Sequence, residues 1–181
     1  MVAGWQIEIS AESIIMDVRY INPFIAAIKH LFKTMLDTDV VVSRPCVKSK
    51  GMRSSDVSAA IGFSGQAAGS VVLCFSRKVA GAVASKFAGD DISELNADLA
   101  DALGELANMV AGQAKAKMDG LDISISLPRV AIGSVTTLQN SRIPILTLPC
   151  DSSLGRFSIE VSMELRKKSE SIPADAAGAT V

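Results

Sequence analysis

Histidine, tryptophan and tyrosine occur once each in this chain, and its three cysteines, Cys46, Cys74 and Cys150, lie far apart. The single His30, flanked by Lys29 and Lys33, offers no serine, histidine and aspartate triad and reads as a surface or hydrogen-bonded structural residue rather than a catalyst. The cysteines lack the paired spacing that grips zinc, and two of them sit in apolar, strand-like runs, which marks them as reduced, buried thiols. An excess of charge is missing as well. With 18 Lys and Arg against 19 Asp and Glu, a net charge of −1 exerts no long-range pull on nucleic acid or anionic lipid. No uncharged apolar run reaches the roughly 18 residues of a membrane-crossing helix, and no secretion signal opens the sequence. A cytoplasmic protein without nucleic-acid or membrane partners is expected. No Gly-rich loop opens a helix to cradle phosphate, and the basic stretch from Lys48 to Arg53 reads as a solvated loop because no helix follows it.

What the chain does have is apolar mass: hydrophobic residues make up 49% of its 181 positions, enough to fill the core of one sizeable domain. Residues 1–15 carry mixed character and read as an extension, 16–165 as the domain, and 166–181, rich in Ser, Ala and Pro, as a disordered tail. Helical spacing of Ile21, Phe24, Ile25, Ile28, Leu31, Phe32, Met35 and Leu36 predicts a first helix from Val18 to Leu36, with Pro23 placed in its first turn. A strand from Val40 through Pro45 to Val47 follows. Two strands, Val57 to Phe63 and Ser70 to Phe75, are joined by a loose turn, and a short helix from Arg77 to Phe87 ends before Gly89. A long helix runs from an N-cap at about Ser93 to about Met118, with Gly120 as its stop. Ile123 to Val135, Ile143 to Leu148 and Arg156 to Met163 complete the strands.

Setting Asn22 against Asn108 carries Gly69, ahead of one strand, onto Gly155, ahead of another, and brings Pro45 and Pro128 nearly into step. Helix, strand and hairpin recur in order. The repeat predicts a pseudo-two-fold α/β (α+β) domain with helices on one face of a mainly antiparallel sheet. The two halves differ in one respect: Glu105 precedes Asn108, whereas Arg19 holds the matching place before Asn22. Asn22 is therefore read as structural.

On the long helix, at about 100° per residue, Leu95, Leu99, Ala102, Leu103, Leu106 and Val110 form one apolar stripe that must face the core. Asp101, Glu105, Asn108 and Gly112 fall together on the opposite side, with Ala97, Gly104 and Ala111 on that side or its margin. Such a face is ordinarily just solvated. Glycine inside a helix costs about 1 kcal/mol relative to alanine, so Gly104 and Gly112 call for a packing or contact reason, and a partner's backbone approaching the helix supplies one.

The string Asp101-x3-Glu105-x2-Asn108 followed by Pro128 resembles the signature of the CheC/CheX/FliY chemotaxis phosphatases. The segment from Met16 to Phe24 is similar to the opening of CheX-like members, and Asp122-Ile-Ser-Ile-Ser-Leu-Pro128 to the strand after their catalytic helix. The resemblance implies a CheC-like fold and an aspartyl-phosphate phosphatase acting on a phosphorylated CheY-type response regulator. It also implies a homodimer that binds no cofactor of its own, because the regulator supplies Mg²⁺. In that frame Asn108 positions the attacking water, Glu105 pairs with the regulator's active-site lysine, and Asp101 is either a rim contact or plainly solvated. Gly104 and Gly112 give room for the partner. The alternative from another class is a non-catalytic regulator-binding or scaffold domain. A flagellar-switch component like FliY would need a further switch domain that is not evident in the chain.

Overall fold

The computed structural model describes residues 18–48, 55–92, 94–133 and 143–166. The extension 1–15, the tail beyond Arg166, most of the Lys48 to Arg53 loop, Ser93 and Val135 lie outside these residues.

Among the described residues eight strands form one antiparallel sheet, and three helices pack against it. In chain order the elements are α1 (Val18–Leu36), β1 (Val40–Val42), β2 (Cys46–Val47), β3 (Val57–Gly65), β4 (Ala67–Phe75), α2 (Arg77–Ala88), α3 (Ala97–Ala116), β5 (Ile123–Ile125), β6 (Arg129–Ile132), β7 (Leu146–Ser152) and β8 (Gly155–Leu165). Along the sheet they run β1, β7, β8, β4, β3, β5, with β2 also on β7 and β6 also on β3. Exchanging β1 with β5, β2 with β6, β3 with β7 and β4 with β8 reverses this order without altering it. The pseudo-two-fold axis therefore passes between β4 and β8, whose pairing centres on Val71 opposite Val161.

Period-two alternation explains why the core lies on one face. Val57, Ala59, Ile61 and Phe63 of β3, Val71, Leu73 and Phe75 of β4, and Phe157, Ile159, Val161 and Met163 of β8 all point into one cluster. The helices close it with Phe24, Ile28, Leu31 and Phe32 from α1, and Leu99, Leu103, Leu106 and Val110 from α3. The predicted apolar stripe of the long helix is thus buried, except that Leu95 packs from the segment just before it. Phe32 stacks on Phe157 with ring centroids 4.9 Å apart, tying α1 to the central strands.

Several predicted boundaries are corrected. Pro23 is inside α1, beyond its first turn, where its missing N–H removes one rung of the ladder. The long helix starts at Ala97, because the side chain of Asn96 accepts from the Leu99 N–H at 3.1 Å and caps it there. The loose turn between β3 and β4 is instead continued strand: the two part after Phe63 and Gly69, β3 going on to pair with β5 and β4 with β8. Gly69 has φ of 152°, and a Cβ there would collide with the Ser162 carbonyl, so this crossing needs glycine.

The strand predicted from Val40 to Val47 breaks in two ahead of Pro45, and the one from Ile123 breaks ahead of Pro128. At each break a serine makes the same bond: the Ser43 N–H donates to the Pro149 carbonyl at 2.8 Å, and the Ser126 N–H to the Gly62 carbonyl at 2.9 Å. Pro149, expected after the end of a strand, sits inside β7. It is tolerated because it faces the gap between β1 and β2, where its carbonyl accepts from Ser43 and no N–H is required of it.

Lys48 is also corrected. It is buried rather than solvated, its Nζ lying 2.6 and 2.8 Å from the two carboxylate oxygens of Glu160 in β8. Of the cysteines, Cys74 and Cys150 are buried free thiols, whereas Cys46 is exposed. Burial pushes the Cys74 thiol up to about 11 and the Cys150 thiol up to about 12, which keeps both protonated and unreactive at neutral pH.

Candidate functional site

α3 holds its polar residues outward because its opposite side is locked into the core. Leu99, Leu103, Leu106 and Val110 are fully buried, so rotation about the helix axis would expose four large side chains. Asp101 and Glu105 are exposed as a result, and Asn108 and Gly112 are half-buried. Asp101 and Glu105 are one turn apart, and Asn108 is three residues beyond Glu105 on the same side. No hydrogen bond or ion pair within the described residues engages the side chains of Asp101, Glu105 or Asn108, so their polar atoms are free for water or a partner.

Ala100, Asp101, Gly104 and Glu105 on the helix face Pro128 and Val130 across an open cleft of about 500 Å³. Gly104 and Ala111 are buried, so the outward surface consists of Asp101, Glu105, Asn108 and Gly112, while Gly104 forms a wall of the cleft. A Cβ on Gly104 would meet Pro128 at 3.5 Å and Val130 at 3.6 Å, ordinary contact distances, and one on Gly112 would meet nothing within 4 Å. Neither glycine is required by the packing of the described residues. Replacing Gly112 by alanine is accordingly expected to stabilise the isolated protein by about 1 kcal/mol, measured by chemical denaturation, while weakening any partner that lies on that face.

Pro128, distant in sequence from the helix, arrives at the cleft because β6 pairs with β3, and β3 packs beneath α3. Ala100 and Val130 were not singled out in the sequence. Ala100 adjoins Asp101, and Val130 follows Pro128 by two strand positions and so shares its side of the strand. Elsewhere Asn22 is exposed on α1, and His30 takes the surface reading of the two, exposed and lending its carbonyl to the Thr34 hydroxyl at 2.8 Å. Among the described residues no group of His, Cys, Asp and Glu is arranged to hold a metal ion, and no helix is long and apolar enough to cross a membrane.

Comparison with known proteins finds the same family in sequence and in fold. The chain is 28% identical over 137 residues to the CheY-P phosphatase CheX of Thermotoga maritima, an alignment covering 74% of this chain and 88% of that one. The crystal structure of the chemotaxis protein CheX from Vibrio vulnificus superposes with a TM-score of 0.73 at 30% identity, covering 80% of this chain and 99% of the other. The CheX–CheY–BeF3–Mg²⁺ complex from Borrelia burgdorferi superposes with a TM-score of 0.67 at 26% identity, covering 82% and 98%. The model of the chemotaxis phosphatase CheX matches residues 57–151, more than half of the sequence and including all of α3 and Pro128, and the chain therefore belongs to the CheX family of chemotaxis phosphatases.

Proposed function

We propose that this protein accelerates hydrolysis of the aspartyl phosphate on a CheY-type response regulator, with Asn108 placing the attacking water. The observation that carries the reading is the placement of Glu105 and Asn108, both without hydrogen-bond or ion-pair partners among the described residues, on the outward face of a helix whose other face is immobilised in the core. An acyl phosphate is already activated, and a receiver domain brings Mg²⁺ and a lysine to neutralise the phosphoryl oxygens. What remains to be supplied is an oriented water. A carboxamide accepts from water through its oxygen and donates through its nitrogen, and it places no negative charge beside the phosphate. A carboxylate in the same position would repel it. Glu105 suits a different task, an ion pair with the receiver's lysine that brings α3 into register with the phosphorylated aspartate.

The complex of the Borrelia relative with CheY, BeF3 and Mg²⁺ supports both the partner and the assignment of the metal to the regulator's side. Asp101, Gly104 and Gly112 then border the contact. The homodimer implied by the resemblance and the cytoplasmic location expected from the sequence belong to the same reading.

The test is phosphate release from acyl-phosphorylated receiver proteins, with and without this chain. Shortened lifetime of one receiver's phosphate is the expected result, and tight binding without shortened lifetime would favour the scaffold alternative. Glu105→Lys should raise the half-saturating concentration about tenfold or more by placing like charges together, with a smaller effect on the maximal rate. An unchanged half-saturation would remove the ion pair from the mechanism.

A further inference from the structure

Resting on the functional reading above, we propose that Leu127, next in the chain to Pro128 of the cleft wall, is an apolar anchor for the receiver domain that fixes the approach of the phosphorylated site toward Asn108. Leu127 is 85% exposed, more than any other large apolar residue among those described. A lone exposed leucine needs no explanation in itself. The way this one is held does.

On its N-terminal side, Ser126 is stapled to β3: its N–H donates to the Gly62 carbonyl, and its Oγ accepts from the Gly62 N–H at 2.9 Å. The same hydroxyl donates to the carbonyl of Leu127 at 2.9 Å, fixing that peptide. On its C-terminal side, Pro128 has a restricted φ and lies beside Gly104 in the wall of the cleft. The backbone is therefore pinned on both sides of a side chain that points away from the core. An apolar group presented in this way loses little conformational freedom when a partner covers it, which is the condition for a strong contact residue.

The pseudo-two-fold supplies an independent control. The matching break in the first half reads Ser43, Arg44, Pro45, and the Ser43 N–H makes the equivalent bond to the Pro149 carbonyl. Arg44, in the place of Leu127, is exposed. The fold thus accepts a charged residue at this position and does not ask for a leucine. Leucine stands in the half that carries Glu105 and Asn108, and arginine in the half where Arg19 replaces the glutamate. The chemistry that fits is an apolar hollow on the receiver beside its phosphorylated aspartate, reached while Glu105 and Asn108 engage the polar centre.

The experiment compares wild type, Leu127→Ser and Leu127→Met in steady-state phosphate release from the acyl-phosphorylated receiver, with thermal melts as a folding control. Leu127→Ser should raise the half-saturating concentration about tenfold, equivalent to roughly 1.4 kcal/mol, with the maximal rate and the melt unchanged. Leu127→Met should stay within about twofold of wild type. Wild-type half-saturation in Leu127→Ser, or a fall in maximal rate alone, would overturn the anchor while leaving the phosphatase reading intact. If wild type accelerates hydrolysis on no receiver, the functional reading falls and the anchor falls with it.

Discussion

Asn108→Ala should lower the stimulated rate of phosphate release at saturation by about 100-fold or more, the scale expected when a reacting group loses its positioning. The carboxamide is assigned the orientation of the nucleophile, so its removal should act on the maximal rate, and half-saturation should hold near wild type because Glu105 and Leu127 remain. Asn108 makes no hydrogen bond within the described chain and is half-buried on the outer side of α3, so truncating it breaks no internal network. The thermal melt should be unchanged or slightly higher, since alanine is the better helix former. Asn108→Asp is the sharper control: it preserves shape but puts a carboxylate beside the phosphate, and it should be as inactive as alanine. Retention of most of the rate in either variant would show that the water is positioned by something else.

The second large effect concerns stability and lies away from the cleft. Lys48 and Glu160 are side chains 4% and 8% exposed, with Nζ 2.6 Å from the carboxylate. Lys48→Met would leave the Glu160 carboxylate buried without its cation, which costs about 3–5 kcal/mol. For a domain of this size that lowers the melting temperature by on the order of 10 °C. Lys48→Met combined with Glu160→Leu should recover most of the loss, because a buried ion pair is often no better than a well-packed apolar pair. Calorimetry on the two variants checks this, and equal melts for Lys48→Met and wild type would show that the pair contributes nothing. Glu160 is flanked in the sheet by Val72 and Thr147, and the Thr147 hydroxyl is buried with no hydrogen-bond partner among the described residues. Among the described residues, Lys48 is the one cation within ion-pair distance of Glu160.

The places where sequence reading misplaced an element share one cause. Lys48 stands in a basic stretch that reads as a loop, and nothing local reveals that an acid 112 residues away pairs with it. Ser93 and Asn96 are equally good capping residues by type, and the bond from the Leu99 N–H selects Asn96. Pro149 argues against a strand by its chemistry, yet β7 continues through it because the neighbouring edge is broken at the same level. Each decision rests on a contact between segments far apart in the chain, to which periodicity and local propensity are blind.

The sequence by itself determined the order of helices and strands, the internal repeat, the core stripe of α3 and the shared face of Asp101, Glu105 and Asn108, because all of these follow from the fixed periods of helix and strand. Only the tertiary structure decided that Pro128 and Val130 close a cleft against that face, that Gly104 and Gly112 answer to no packing need among the described residues, and that Leu127, next to Pro128, is held exposed. Those depend on which strands become neighbours, and neighbourhood in a sheet is settled by long-range pairing energy rather than by any local pattern.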